Sequence, residues 1–475
     1  MIGRLEHSLA TPSPAWLYLL LTAVVTGLLV GLAWPLGALL VLTSSLVIIG
    51  ILWPGAIVAL VVLSIPIQGL GSIGVGTGGV TATRLIVGAL IVSYLVNIAT
   101  GRARPRLVPV AWAHGLVVGV LVASIVNVIE PGLWASEIYR WGIAGVVFVV
   151  ADDALQRPRA RVLVIFATGL GVILASVVGF VQVIHNAGPP SYVAGGVLRA
   201  YSTFGAPNAF AAYLELGLPL LAALSVVRWD TVARYRWLRW WCASAVLIGG
   251  IALLLTQSRG GFLGIVAALF FLALAGGGRV RVTTLVLCVG LSTTLLLPIG
   301  DRFQQRSTSL AIPSSSLVEV TPENWANLER TAHWGAGLRM TANYPLSGVG
   351  AGHFNVRFRE HTPVWRFRIP RGHAHNGYIH MGAQAGYPGL MAMVLFTATL
   401  LVAMSRGVAR ARSRQERAVA LGSLGIVVAF SVHSIVDYLN VLSLGLQLAV
   451  MVALVTAMSG RVVNDPQLNP TDTGR

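Results

Sequence analysis

Lysine is missing from this sequence altogether, so all 33 of its basic residues are arginines, whose planar fork binds phosphate in two places at once. Acids are few. With 16 of them the net charge is +17, yet charged residues make up only 10% of the chain, against about a quarter in a soluble domain. Most arginines fall in short connections between apolar runs, so orientation in a membrane accounts for them and a nucleic-acid partner is not expected. Cys242 and Cys288 lie far apart inside apolar runs, which excludes both a disulfide framework and a thiolate metal centre. The sequence has no Walker loop, dinucleotide-binding glycine pattern or Asp-rich sugar-nucleotide motif, so nothing supports a nucleotide-activated donor.

Apolar residues are abundant. They make up 56% of the 475 residues, and the mean hydropathy is +0.78. Runs near twenty residues, each long enough to cross roughly 30 Å of hydrocarbon, recur near 16–33, 36–52, 55–69, 82–99, 107–129, 138–151, 161–185, 207–227, 240–256, 260–275, 283–299, 376–404, 417–438 and 440–458. The reading is an all-α polytopic membrane protein of about twelve to fourteen spans. The first run has no small-residue cleavage site after it and reads as a span, not a cleaved signal.

Charge orders these spans. The basic connections 101–106, 152–161, 228–239, 276–281 and 405–417 are separated by even numbers of spans, which puts all five on one face, the cytoplasmic one, with both termini beside them. The connections 69–79, 130–137, 185–207, the turn at Ser258-Arg259 and the long loop 300–375 then face outward. The expected divisions are an N-terminal bundle over 1–299, an external loop subdomain over 300–375, C-terminal spans over 376–460 and a disordered tail over 461–475.

The long loop holds nine arginines and five acids, and a loop of that length usually has a function. Within it Asn324–Asn343 has helical periodicity, with Trp325, Leu328, Ala332 and Leu338 on one side, so an amphipathic helix at the outer interface is expected. Pro345 stops it, and the following glycines turn the chain back toward the membrane.

Three outward-facing stretches carry candidate chemistry. Arg199 precedes a turn and a Pro207-Asn208 helix start, whose exposed N–H groups favour an anion. Arg259 sits between two apolar runs with almost no loop, a depth at which a cation is expensive unless it serves a purpose. In 371–386, His373, His375 and His380 stand where the long loop re-enters an apolar helix, with Asn376 as its cap. Arg330 and Arg371 add cations for an anionic substrate. Two arginines and a histidine form a minimal set for phosphate-linked group transfer: forks for a pyrophosphate, a base for a hydroxyl. A zinc site from the three histidines is disfavoured, since no orienting carboxylate lies nearby in sequence. Glu215 within a span and Asp437 at the end of one are candidates either for function or for pairing with an arginine or a histidine such as His433.

Taken in order, these stretches resemble the O-antigen ligase and polymerase superfamily of bacterial envelope glycosyltransferases. The resemblance rests on Arg199 through Thr203-Phe204-Gly205 and Pro207-Asn208, on Thr256-Gln257-Ser258-Arg259-Gly260-Gly261, on Trp334 through Tyr344-Pro345-Leu346-Ser347-Gly348, and on His373-Ala374-His375-Asn376 with Gly386. It implies a GT-C-like enzyme in the bacterial inner membrane, active at the periplasmic or outer face, with no metal. Its donor would be an undecaprenyl-pyrophosphate glycan and its acceptor a hydroxyl on a lipid or glycan, with inversion at the anomeric carbon. By the same motifs Arg199 and Arg259 would bind the pyrophosphate and His375 would be the base. Asn208, Arg330, Arg371, His373 and Asn376 are the further candidates for contacting substrate. Ligation and polymerisation share these motifs. A transporter of anionic lipid or solute is the alternative outside enzymes.

Overall fold

A computed structural model describes residues 36–71, 73–75, 78–194, 196–227, 235–278, 325–362, 365–441 and 443–459, together with positions 22, 27, 281–282 and 285–286. Apart from those positions, the expected spans near 16–33 and 283–299 lie outside the described residues, as does the tail over 461–475.

The chain is a helical membrane bundle. Among the described residues eight helices are long and apolar enough to cross a membrane, and four shorter apolar ones accompany them. In order the helices are α1 (Leu36–Leu52), α2 (Pro54–Ser64), α3 (Ala82–Ala99), α4 (Pro109–Ala123), α5 (Pro131–Ala154), α6 (Pro158–Ile184), α7 (Pro207–Glu215) and α8 (Leu218–Val226). Then come α9 (Arg236–Thr256), α10 (Arg259–Ala275), α11 (Trp325–Asn343), α12 (Phe354–His361), α13 (Gly377–Arg410), α14 (Arg414–His433) and α15 (Leu444–Ser459). Two short antiparallel hairpins, Ile73–Val75 with Gly78–Val80 and Val193–Ala194 with Val197–Leu198, sit in connections. Proline at the first helical turn opens α2, α4, α5, α6 and α7, where a missing N–H leaves nothing unsatisfied.

The α7–α8 segment and α14 form the centre, each with 78% of its span buried, while α4 buries only 28%. Exposed Leu95, Trp112, Leu247 and Leu274 on the outer helices form the apolar surface that lipid requires. Two pairs of the basic connections meet. Arg106 bonds Asp152 at 2.6 Å and Arg417 donates to the Ala275 carbonyl, joining connections that the charge pattern had put on one face.

Helix α13 is broken near its start, where Ala385 and Gly386 leave helical geometry just before Pro388. The break frees carbonyls that lipid cannot satisfy. The segment after α11 takes them: Val349 N–H donates to the Ala383 carbonyl and Gly350 N–H to that of Gln384. Gly386, at φ +67°, is needed there, because a Cβ would come within 2.4 Å of the Pro345 carbonyl oxygen. The Pro-Leu-Ser-Gly-Val-Gly turn and Gly386 are thus two sides of one backbone contact.

Two sequence expectations need correcting. Helix α11 turns Ala332, His333, Ala336 and Met340 inward against α13, so of the apolar residues expected on one side Ala332 is buried while Leu338 is 57% exposed. Gly337 permits the approach, for a Cβ there would meet Ile379 at 2.6 Å. Glu137 is not in a connection. It lies inside α5, buried, where it accepts hydrogen bonds from Arg140, Trp141 and Tyr438.

Candidate active site

The start of α13 is fixed by Asn376, whose side-chain oxygen caps the helix by accepting from the N–H groups of Tyr378 and Ile379. Its amide donates to the Ile435 carbonyl at 2.7 Å, which ties that cap to the end of α14. Gly377 N–H adds a bond to the Ser434 carbonyl. His375, just before the cap, is held at φ +53°, a left-handed conformation that L side chains rarely adopt without support. The Trp334 indole supplies it by donating to the His375 carbonyl at 2.9 Å.

Asp437 is the hub. Its Oδ1 lies 3.3 Å from His375 Nδ1, and its Oδ2 accepts from Asn208 at 3.0 Å. Asn208 in turn accepts from Arg199 at 3.2 Å and from Ser258 at 3.0 Å, and Arg199 also donates to the Thr256 carbonyl. A continuous hydrogen-bonded path therefore runs Arg199, Asn208, Asp437, His375 across three separate regions of sequence. Arg259, next to Ser258, donates to Asn327 on α11 at 2.7 Å. Arg330 follows on the same helix, one turn from Asn327. Arg371 is engaged elsewhere: it pairs with Glu329 at 2.9 Å and is about half exposed.

The histidines differ in surroundings. His373 is pushed down to about 4, chiefly by burial, aided by His375, His333 and Arg330 and opposed by Asp437. It is therefore neutral near pH 7, and its Nδ1 accepts from the His375 N–H at 3.2 Å. His380 packs beneath, its ring 4.3 Å from that of Tyr438. Burial alone would raise Asp437, but the hydrogen bond with His375 and the nearby His373 and His433 hold it well below the usual carboxylate range. His333, which the sequence did not single out, is buried with its ring 5.4 Å from His375 and accepts from the Arg371 N–H.

The missing carboxylate beside the histidines is supplied by Asp437, which corrects the sequence argument against a metal. Ligand atoms of His373, His375 and Asp437 all fall within 4.8 Å of one another. The donor set still fits a metal poorly, because His373 Nδ1 already accepts a backbone N–H.

Acid weakens this arrangement through linkage. His373 is neutral in the fold but takes a proton near 6.5 when unfolded, so its contribution to stability is full above that pH and falls as pH drops from 6.5 toward 4. Asp437 acts in the same direction at lower pH, its contribution being lost as pH falls through its depressed folded value. The melting temperature of the purified protein should decline on acidification below about pH 6.5, and His373→Asn should flatten the upper part of that decline.

Under the path lies a buried pair, Glu215 and His433, 3.0 Å apart. Helix α10 reaches it through glycines. A Cβ on Gly260 would meet the His433 ring at 2.5 Å, and one on Gly264 would meet both Glu215 and the Ala429 carbonyl at 3.0 Å. The glycines after Arg259 therefore let the helix start that carries this arginine settle against α14. Gly260→Ala should overpack the contact, lowering stability by about 1–3 kcal/mol and reducing activity along with it; paired thermal-unfolding and activity measurements check both.

Residues 244–394 match the family model described as O-antigen ligase. No curated protein matches the chain. The match takes in Arg259, Arg330, His373, His375 and Asn376. Arg199, Asn208 and Asp437 lie outside the matched residues.

Proposed function

We propose that this membrane protein, with its O-antigen ligase segment, transfers a glycan from an undecaprenyl-pyrophosphate carrier to an acceptor hydroxyl outside the cytosol. The observation that carries the reading is the hydrogen-bonded path from Arg199 through Asn208 and Asp437 to His375, with Arg259 beside Ser258 at its edge. His375 directs Nδ1 to the Asp437 carboxylate, which orients the ring and leaves Nε2 as the basic nitrogen. Nε2 takes the proton of the acceptor hydroxyl, and the freed oxygen attacks the anomeric carbon from the side opposite the pyrophosphate. The bond between that carbon and the pyrophosphate oxygen breaks, and its electron pair leaves with the lipid. Arg199, Arg259 and Arg330 meet the growing negative charge. The configuration inverts, and no metal takes part.

The arginine-rich end of the bundle lies in the cytoplasm and the site opens to the periplasm or exterior, following the charge asymmetry of the connections. The test is incubation of purified protein with an undecaprenyl-pyrophosphate glycan and candidate acceptors, with and without chelator. One transfer onto a distinct acceptor, unchanged by chelator, is expected. A ladder of product lengths from a single donor would assign polymerisation, and loss of product on chelation would overturn the metal-free mechanism.

A further inference from the structure

We infer that Glu137, two turns into α5, is a positioning residue for His375: through the Tyr438 phenol it fixes the short segment that carries Asp437, and so the carboxylate that orients the imidazole. A buried acid inside a membrane span is costly unless its oxygens are satisfied. Glu137 has three donors. Arg140 gives to Oε2 at 2.7 Å, while the Trp141 indole and the Tyr438 hydroxyl converge on Oε1 at 3.2 and 2.8 Å. Arg140 and Trp141 belong to α5 itself, but Tyr438 comes from the connection after α14, 301 positions away, so this bond ties α5 to the site.

The segment 434–438 is moored at both ends. At its start the Ser434 and Ile435 carbonyls accept from the Gly377 N–H and the Asn376 side chain, and at its end Tyr438 reaches Glu137. Asp437 lies between. Its Oδ1 accepts the Tyr438 backbone N–H at 2.9 Å and also faces His375 Nδ1 at 3.3 Å, so a shift of Tyr438 disturbs the same atom that holds the imidazole. The Tyr438 ring is wedged against His380 at 4.3 Å and His373 at 5.6 Å, on the opposite side of the segment from Asn208 on α7 only in sequence, since Asn208 fixes the other oxygen of Asp437. Tyr438 and Glu137 are both 4% exposed, so a phenol that lost its acceptor would have no water to replace it.

The inference rests on the transferase reading for what His375 does, so its test pairs turnover with a readout that needs none. Purified full-length protein carrying ¹⁵N-histidine is examined by solid-state NMR in lipid vesicles, the His375 signals being those lost in His375→Ala. In the unaltered protein His375 should hold the Nδ1–H tautomer that its bond to Asp437 requires. Glu137→Leu and Tyr438→Phe should each shift it toward a mixture of tautomers and lower kcat by about 10- to 100-fold, with KM for donor and acceptor unchanged. Glu137→Gln keeps an acceptor oxygen for Tyr438 and should restore most of the rate. If Glu137→Leu does not fold, Tyr438→Phe decides, because it removes one oxygen from a ring that stays packed. A His375 tautomer left as it was in the variants, or a loss of activity no larger than the loss of folded protein, would overturn the inference. Absence of product from the unaltered protein would sink the transferase reading instead, and the tautomer would still decide whether Glu137 orients His375.

Discussion

His375→Ala is expected to abolish glycan transfer while the protein stays folded in the membrane. General-base catalysis contributes about 10²–10⁴-fold, and loss of that order should appear in the rate at saturating acceptor. The side chain sits on a short segment pinned by its neighbours, not by itself: Trp334 holds its carbonyl, and Asn376 ties the following turn to α14. Removing the imidazole should therefore leave the fold intact, with a modest fall in melting temperature because the buried Asp437 carboxylate loses one hydrogen-bond partner. Asp437→Asn is a useful companion. It keeps the bulk but weakens the acceptor for His375 Nδ1 and for Asn208, so it should reduce transfer strongly with part of the stability lost as well. Normal product from His375→Ala would remove the proposed base.

Arg199→Ala and Arg259→Ala should each lower transfer by about 10²–10³-fold, the range for losing one preorganised donor at a developing negative charge. Both side chains are already oriented, Arg199 by Thr256 and Asn208 and Arg259 by Asn327, so neither needs to reorganise when charge develops on the leaving pyrophosphate. The Lys variants discriminate a fork from a mere charge. A lysine keeps the cation but offers no planar pair of donors, so Arg259→Lys should restore little of the activity lost in Arg259→Ala. Restoration to near the original rate would mean that charge alone suffices there. The readout is single-turnover transfer from the undecaprenyl-pyrophosphate glycan.

The residues that resist sequence reading share one property: their partners are distant in the chain. A lone acid within a span needs a partner, which made an arginine or a histidine such as His433 a candidate for Glu215 or Asp437 alike, and it is Glu215 that His433 meets, at 3.0 Å. Asp437 was visible as an acid at the end of a span, but its tie to His375 spans 62 positions and leaves no local pattern. Helix α11 was legible as a helix and misjudged in orientation. Apolar spacing reports affinity for an apolar phase, whereas α11 packs by small residues such as Ala336 and Gly337 against α13 and leaves Leu338 outside.

What the sequence determined by itself is what hydrocarbon enforces: where helices must span, because backbone groups in lipid have to be satisfied within the segment, and which connections lie together, because arginine seldom crosses. Cap chemistry belongs with these, as Asn376 illustrates, since its side-chain oxygen acts on backbone two and three positions along. Only the tertiary structure decided that Arg199, Asn208, Asp437 and His375 form one hydrogen-bonded path, and that Arg371 is drawn away to Glu329. The physical reason is range. Hydrogen bonds and ion pairs act over about 3 Å, and bringing groups from α7, α13 and the end of α14 within that distance is the work of helix packing, which no stretch of sequence encodes alone.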